Sequence, residues 1–206
     1  MAITLIALLA TAAGPVIAST CGPTATSLTA DLARSTITWR GTKFFGTRGH
    51  EGPVSLASGV VCLEGTTITG GRFVADLRTI DVSDIPAHEP EPRRNLRNHL
   101  MAEDFFDVAR HPLATLEVLD VEATAAPVRR VRANLTMRGV THEITFEAQV
   151  HELSATSVRA SARVTVDRHR WGVRFRGTRL GDDLVDDTFT LRLELVARSD
   201  GATVRR

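Results

Sequence analysis

Histidine and cysteine are the residue types in this chain that most readily support catalysis or metal binding. The seven histidines are scattered and form no His-x-His or His-Glu-x-x-His pattern, the spacings at which imidazole rings share a zinc ion. The chain has no Gly-x-Ser-x-Gly turn for a nucleophilic serine, and neither cysteine lies in a reactive motif. The sequence therefore predicts no catalytic residue, metal site or cofactor. The leading enzymatic rival is a hydrolase or metal-assisted lyase that uses His50 and His99.

The two cysteines, Cys21 and Cys62, leave three chemical states open. Cys21 follows Ala18-Ser19-Thr20, a loose match to a lipoprotein processing site, so a lipid on Cys21 could attach the protein to a membrane. In an oxidising compartment the two thiols could instead form a disulfide, although the sequence does not show whether their Cα atoms come close enough. Two unpaired thiols are the third alternative.

The first 20 residues are similar to a secretory signal. No charged side chain occurs before Asp31, and Ala18 offers a small-residue cleavage site. The apolar run from Ile3 to Ala13 is shorter than the ~20 residues of a spanning helix. We therefore expect a signal-like segment at 1–20 and a periplasmic or secreted protein. Residues 21–34 are expected to form a linker, 35–198 a single domain and 199–206 a polar tail.

Charge and composition exclude one class of partner. Lys and Arg number 25 and Asp and Glu 24, so the formal net charge is +1 and the basic surplus of a nucleic-acid-binding protein is absent. A hydrophobic content of 43% is typical of a globular protein with a packed interior. Nucleic acid is therefore not an expected partner.

Most of the chain alternates apolar and polar residues with the period of two that is typical of β-strands. The clearest runs are Val131–Met137, Ile144–Val150, Val158–Val166 and Phe189–Leu195. Further strands are predicted at Ser35–Phe45, Val54–Cys62, Arg72–Ile80 and Ala114–Val121. Gly139 lies between the first two clear runs, where a tight hairpin needs a residue that accepts positive φ.

One stretch departs from this alternation. Pro90 and Pro92 precede residues 93–102, in which Leu96, His99 and Leu100 share one helical face. We expect a short helix there, lying across one end of the sheet. About eight antiparallel strands can close on themselves, which removes exposed edges and encloses room for one ligand. The sequence therefore predicts an all-β fold with a single closed antiparallel sheet.

The inward residues of such a barrel could either line a cavity or fill a core. A long apolar ligand needs a continuous apolar lining, because burial of apolar surface yields about 25 cal/mol per Å². In small barrels the same side chains often fill the interior, and the pattern alone favours that alternative. Several inward residues are small, however, and would leave volume unfilled: Ala133, Ala148, Ala160 and Ala162.

Trp39 and Lys43 share one face of the first predicted strand with Ile37. A buried ammonium group needs an anionic partner, such as a ligand phosphate or carboxylate, because an unpaired buried charge is costly. The alternative is that Lys43 extends to the rim of the barrel and keeps its charge in water.

Several separated segments resemble the YceI-like family. They are Leu96–Leu100 with Asp104–Val108 and His111-Pro112, then Asn134–His142, then Asp167-Arg168 with Trp171-Gly172. The opening strand resembles one branch of the family at Trp39, Gly41, Lys43, Gly49-His50 and Gly52, and Gly70–Phe73 resembles its third strand. The resemblance extends from Ser35 to Ala197.

This resemblance implies a single antiparallel eight-stranded lipocalin-like barrel, often exported in bacteria, that binds a lipid without catalysing a reaction. The implied ligand is a long-chain isoprenoid or fatty amphiphile whose chain contacts apolar residues of the barrel: Trp39, Phe105, Phe106, Leu135, Met137, Phe146 and Phe189. Its head group would lie toward Lys43, His50 or His99. The two histidines could instead bond backbone carbonyls, and the adjacent phenylalanines could plug a barrel end. An accessory interaction module with a filled barrel is the main rival.

Overall fold

The computed structural model describes residues 21–175 and 185–199, and their strands form one antiparallel sheet. The strands are β1 (Thr26–Ala30), β2 (Thr36–Lys43), β3 (Arg48–Glu64), β4 (Thr67–Asp76), β5 (Leu113–Ala123), β6 (Val128–Met137), β7 (Val140–Leu153), β8 (Ser157–Asp167) and β9 (Val185–Arg198). One helix, α1 (Pro90–Met101), lies between β4 and β5, and short 3-10 turns occupy Leu77–Thr79 and Arg168–Trp171.

The sheet closes into a barrel with eight strand positions. Strands β2 to β9 pair in chain order, and β9 pairs back onto β2. The short strand β1 shares a position with β2, because β2 pairs with Arg48–Val54 of β3 and β1 pairs with Val60–Leu63 of the same strand. The predicted eight-stranded lipocalin-like barrel is therefore confirmed.

Strand β1 lies in the segment that was expected to be a linker, so that expectation is wrong. Leu28 is fully buried and Ala30 nearly so, because β1 fills the gap between β3 and β9 that β2 leaves open. Only these two apolar residues alternate in the strand, which is too short a pattern to distinguish a strand from a linker.

The chain preceding β1 is covalently attached to the barrel. Cys21 forms a disulfide with Cys62 of β3, with their Cα atoms 5.4 Å apart. This is one of the three states that the sequence left open. A lipid thioether would occupy the same sulfur, so the disulfide and the lipidated form exclude each other, and lipidation of Cys21 stays a prediction. The signal-like segment 1–20 and most of the predicted tail lie outside the described residues.

Predicted and observed element boundaries differ most at β3 and around the helix. β3 begins at Arg48, six residues before its predicted start, because its glycine-containing first part does not alternate. The fourth strand ends at Asp76, whose carboxylate accepts the Arg78 N–H and starts a 3-10 turn. The helix begins at Pro90 and ends at Met101, since proline is tolerated in the first turn of a helix.

The two ends of the barrel are built differently. Residues 77–112, which connect β4 to β5 and include α1, cover one end, hereafter the helix end. Their apolar side chains Leu77, Ile80, Leu100 and Phe106 pack with Trp39 and with the ends of β6 and β8. The opposite end, hereafter the far end, carries the β3–β4, β5–β6 and β7–β8 turns and a smaller cluster of Leu28, Val61, Leu63, Val158 and Ala197.

Gly52 of β3 lies against the chain that covers the helix end. A Cβ at Gly52 would lie 1.9 Å from the carbonyl oxygen of Asp81, whereas a Cβ at Gly41 would meet nothing nearer than 3.8 Å. We predict that Gly52→Ala lowers the free energy of unfolding by at least ~2 kcal/mol, because backbone must move. The matched control Gly41→Ala should be neutral or slightly stabilising. Urea unfolding of both variants checks this, and equal stabilities would contradict it.

Candidate ligand-binding cavity

A cavity of about 210 Å³ lies inside the barrel. Inward side chains from β2 to β9 form its wall, from Trp39 and Met137 at the helix end to Val121 and Val150 toward the far end. The lining is apolar apart from six residues: Ser35, Thr36, Thr115, Arg129, Ser161 and Glu194. An internal space lined by so few polar groups is suited to an apolar ligand.

Small side chains on β7 and β8 keep the cavity open. Ala148 faces Ala162 and Ala160 faces Val150 across the two strands, and all four residues line the cavity. Larger residues at these positions would fill a barrel of this width. Ala133, also expected to leave volume, is fully buried and does not line the cavity, so that expectation is wrong.

Several large inward side chains keep accessible surface although they face the interior. Ile144, Phe146, Leu191 and Leu193 line the cavity and are only half-buried. In a filled barrel these inward residues would be packed on all sides. The interior therefore favours a binding barrel over the filled barrel of an interaction module.

At the helix end the cavity is closed by tightly packed side chains. Trp39, Leu135, Met137 and Phe106 line it there, and each is at most 7% exposed. Two tryptophans fix this closure with side-chain hydrogen bonds: Trp39 Nε1 donates to the Asp81 carbonyl and Trp171 Nε1 to the Leu135 carbonyl, each at 3.0 Å.

Aromatic rings extend from this end of the cavity outward. The rings of Phe106 and Phe189 line the cavity and lie 6.2 Å apart, centroid to centroid. Phe105 packs against Phe106 at 5.1 Å, and His99 packs edge-on against Phe105 and Phe175 at 5.6 and 4.4 Å. Phe106 thus plugs the barrel, while Phe105 and His99 support it from outside the cavity.

Arginines attach α1 and its flanking chain to the helix end. Nε and Nη2 of Arg93 each donate a hydrogen bond to one carboxylate oxygen of Asp81. Arg97 Nε donates to the Ile80 carbonyl at 2.9 Å. The hydrogen bond from Arg93 is the main reason that the pKa of Asp81 lies below its ordinary value. Asp81 therefore connects α1 to the barrel: its carboxylate accepts from Arg93 of the helix, and its backbone carbonyl accepts from Trp39.

The sequence-predicted contact residues divide into two groups. Six of the ten line the cavity: Trp39, Phe106, Leu135, Met137, Phe146 and Phe189. Four do not: Lys43, His50, His99 and Phe105. Lys43 is half-buried at the end of β2, opposite Arg48 and Val185. The head-group contacts expected at Lys43, His50 and His99 therefore have no support in the geometry.

His50 has a partner within the protein instead. Its Nδ1 lies 2.8 Å from a carboxylate oxygen of Asp84, whose other oxygen accepts the Glu51 N–H. Burial is the largest single influence on Asp84 and raises its pKa, but the hydrogen bonds, together with the attraction of His50, outweigh burial and the net pKa is lowered. The pair holds the 81–85 segment against β3, which is a structural role.

Metal-binding clusters and membrane-spanning helices are both absent from the described ranges. Within residues 21–175 and 185–199, no three His, Cys, Asp or Glu side chains are grouped so that they could hold a metal ion. No helix in these same ranges has the length and apolar character needed to cross a membrane.

Sequence reasoning missed the polar part of the lining, Arg129 above all. The strand was predicted to begin at Val131, but β6 begins at Val128 and continues the same alternation, so Arg129 shares the inward face with Val131 and Leu135. The spacing of two residues between Arg129 and Val131 was the available signal.

A closed antiparallel barrel with an apolar internal cavity defines a lipocalin-like binding barrel. The model of the YceI-like domain matches residues 28–197 of this sequence. The chain therefore belongs to the YceI-like family. No curated protein matches it by sequence.

Solved structures share the fold at low sequence identity. BcnA of Burkholderia cenocepacia is 18% identical with a TM-score of 0.67, over 82% of this chain and 99% of its own. A polyisoprenoid-binding domain of Saccharophagus degradans is 15% identical with a TM-score of 0.57, over 84% and 98%. A YceI protein of Campylobacter jejuni is 15% identical with a TM-score of 0.54, over 71% and 84%. These likenesses show a common fold.

The lowered pKa of Asp81 gives stability a defined dependence on pH. A carboxylate with a lowered folded pKa stabilises the fold fully above its unfolded value, near 3.9, and this contribution is lost as pH falls through the folded pKa. Because both partners are about one-third exposed, we predict that Asp81→Asn costs only about 0.5–1 kcal/mol at pH 7. The difference from wild type should shrink below pH 4.

Urea unfolding of Asp81→Asn between pH 7 and pH 2.5 measures this difference. Asp104→Asn, which removes an exposed carboxylate of the same connection, is the matched control and should follow the wild-type curve. A constant difference between wild type and Asp81→Asn down to pH 2.5 would show that the charge of Asp81 is not its cause, and curves that coincide would show that the ion pair contributes nothing.

Proposed function

We propose that the protein binds a long-chain isoprenoid or related amphiphilic lipid inside the barrel, and sequesters or transports it without catalysing a reaction. The observation that carries this proposal is the apolar cavity between the strands. The side chains proposed to contact the chain are the six predicted residues that line it: Trp39, Phe106, Leu135, Met137, Phe146 and Phe189.

The length of the lining supports an extended chain. From Met137 to Arg129, both lining residues, β6 advances eight residues, which is about 26 Å along the strand. With a strand tilt near 40°, the lining spans about 20 Å of the barrel axis. One leaflet of a bilayer has a hydrocarbon thickness of about 15 Å, so the lining is long enough for one lipid chain.

Two further observations support the ligand class and the compartment. The Saccharophagus degradans structure of the same fold is described as a polyisoprenoid-binding domain, and this chain shares its barrel. The Cys21–Cys62 disulfide is stable in oxidising compartments, which supports export to the periplasm or outside the cell. The signal-like segment at 1–20 is consistent with that location.

The first experiment is native mass spectrometry of gently purified protein, followed by organic extraction. A long-chain lipid in near one-to-one ratio is the expected result. Delipidated, refolded protein should then bind geranylgeraniol, which tests the site with a defined probe. Protein that carries no lipid and, after refolding, binds no geranylgeraniol would overturn the proposal.

Filling the cavity should weaken ligand binding without unfolding the barrel. Ala162 lies between Ala148 and Leu193 in the lining, so Ala162→Phe places a ring where the chain would lie. We predict at least a tenfold loss of geranylgeraniol affinity, since the ligand loses the volume it occupies. Thr165→Phe, on the exposed face of the same strand, should bind like wild type. Fluorescence titration measures both, with circular dichroism as the control for folding.

A further inference from the structure

Arg129 is a cation on the inward face of an otherwise apolar strand. It precedes Val131, Leu135 and Met137 at the same alternate positions of β6, and like them it lines the cavity. It stands near the far end, two residues after Pro127, and is half-buried. Val121 and Val150, which also line the cavity toward this end, keep accessible surface as well.

The neighbouring arginines of β6 have carboxylate partners, whereas Arg129 does not. Arg130 and Arg132 point outward and pair with Glu122 and Glu143 at 3.4 and 3.1 Å. Arg129 Nη1 donates to the neutral Val128 carbonyl at 2.9 Å, and no carboxylate in the described part of the chain lies within ion-pair distance of it. A guanidinium has five N–H donors, so most of its capacity remains for another acceptor.

The surroundings of Arg129 leave room for that acceptor. The residues opposite it on the two neighbouring strands are Ala123 and Ala148, both of which are small. The acidic lining residue is Glu194, on β9. It is aligned across the sheet with Val128, the neighbour of Arg129, but the two residues lie three strand spacings apart, a distance of about 14 Å. Glu194 therefore does not neutralise Arg129.

We propose that Arg129 binds the anionic head group of the ligand, a carboxylate or a phosphate, while the chain extends toward Phe106 at the closed helix end. This inference rests on the proposed function and adds the class of head group and its orientation. It reverses the orientation expected from the sequence, in which the head group lay toward Lys43, His50 or His99. A guanidinium is well suited to the task, because its planar fork matches carboxylate and phosphate oxygens.

Two pairs of probes with equal chains test the head group. Geranylgeranyl monophosphate is compared with geranylgeraniol, and palmitate with hexadecanol, by titration of delipidated protein. Wild type should bind each anion on the order of 10- to 100-fold more tightly than its alcohol, the range of one charge-assisted interaction. A preference in only one pair identifies phosphate or carboxylate as the source of the charge.

Arg129→Gln should remove this preference, because it weakens binding of the two anions far more than binding of the two alcohols. Arg129→Lys, which keeps the charge without the fork, should retain part of it. Arg130→Gln, which removes an outward arginine one residue away, is the matched control and should behave as wild type. Thermal melts establish that each variant is folded, and the affinity for geranylgeraniol reports an intact cavity independently of the head group.

The outcomes separate the two proposals. Wild type that binds alcohols and anions equally, or an Arg129→Gln variant that keeps the full preference for anions, overturns the role of Arg129 while leaving the lipid-binding proposal intact. Wild type that binds none of the four probes overturns the proposed function itself. Loss of the anion preference in Arg129→Gln but not in Arg130→Gln supports the inference.

Discussion

Closure of the sheet over eight strand positions is the constraint on which the rest of the molecule depends. It fixes the width of the interior, so each inward residue must either reach its neighbours across the axis or leave space. The alanines of β7 and β8 do not reach across, and Phe146, Leu191 and Leu193 retain accessible surface as a result. The cavity is thus a consequence of small residues on one side of a barrel whose diameter cannot shrink.

A closed barrel still has two ends, and in this protein the two ends are packed differently. At the helix end, the backbone carbonyl of Asp81 accepts a hydrogen bond from Trp39 and its carboxylate accepts from Arg93. Because Gly52 has no side chain, the backbone at Asp81 can lie close to β3. In the described part of the chain, no buried side-chain nitrogen or oxygen lacks a hydrogen-bond partner. Tight packing and satisfied hydrogen bonds therefore close the helix end. The polar lining residue Arg129 lies toward the far end.

Much of the fold could be predicted from the sequence, because alternation of apolar and polar residues is a local signal. It identified most of the strands and the closed barrel, while two prolines and a helical face identified the helix and the family resemblance supplied the six predicted residues that line the cavity. Contacts between distant segments gave no such signal. The partner of His50 is Asp84, 34 residues away, and the disulfide and the burial of β1 depend on where β3 and β9 lie. Arg129 was missed because the strand was predicted to begin at Val131, two residues after it.

Strand β1 has a consequence for the state of the protein in solution. Its five residues cover the backbone edges of β3 and β9, where β2 does not reach, and the Cys21–Cys62 bond ties it there. A tethered strand returns to its own barrel far faster than it can pair with another chain, because its effective concentration is high. Because β1 is also connected to β2 through residues 31–35, the disulfide gives the strand a second attachment and opposes its release from edges that could otherwise pair with another chain.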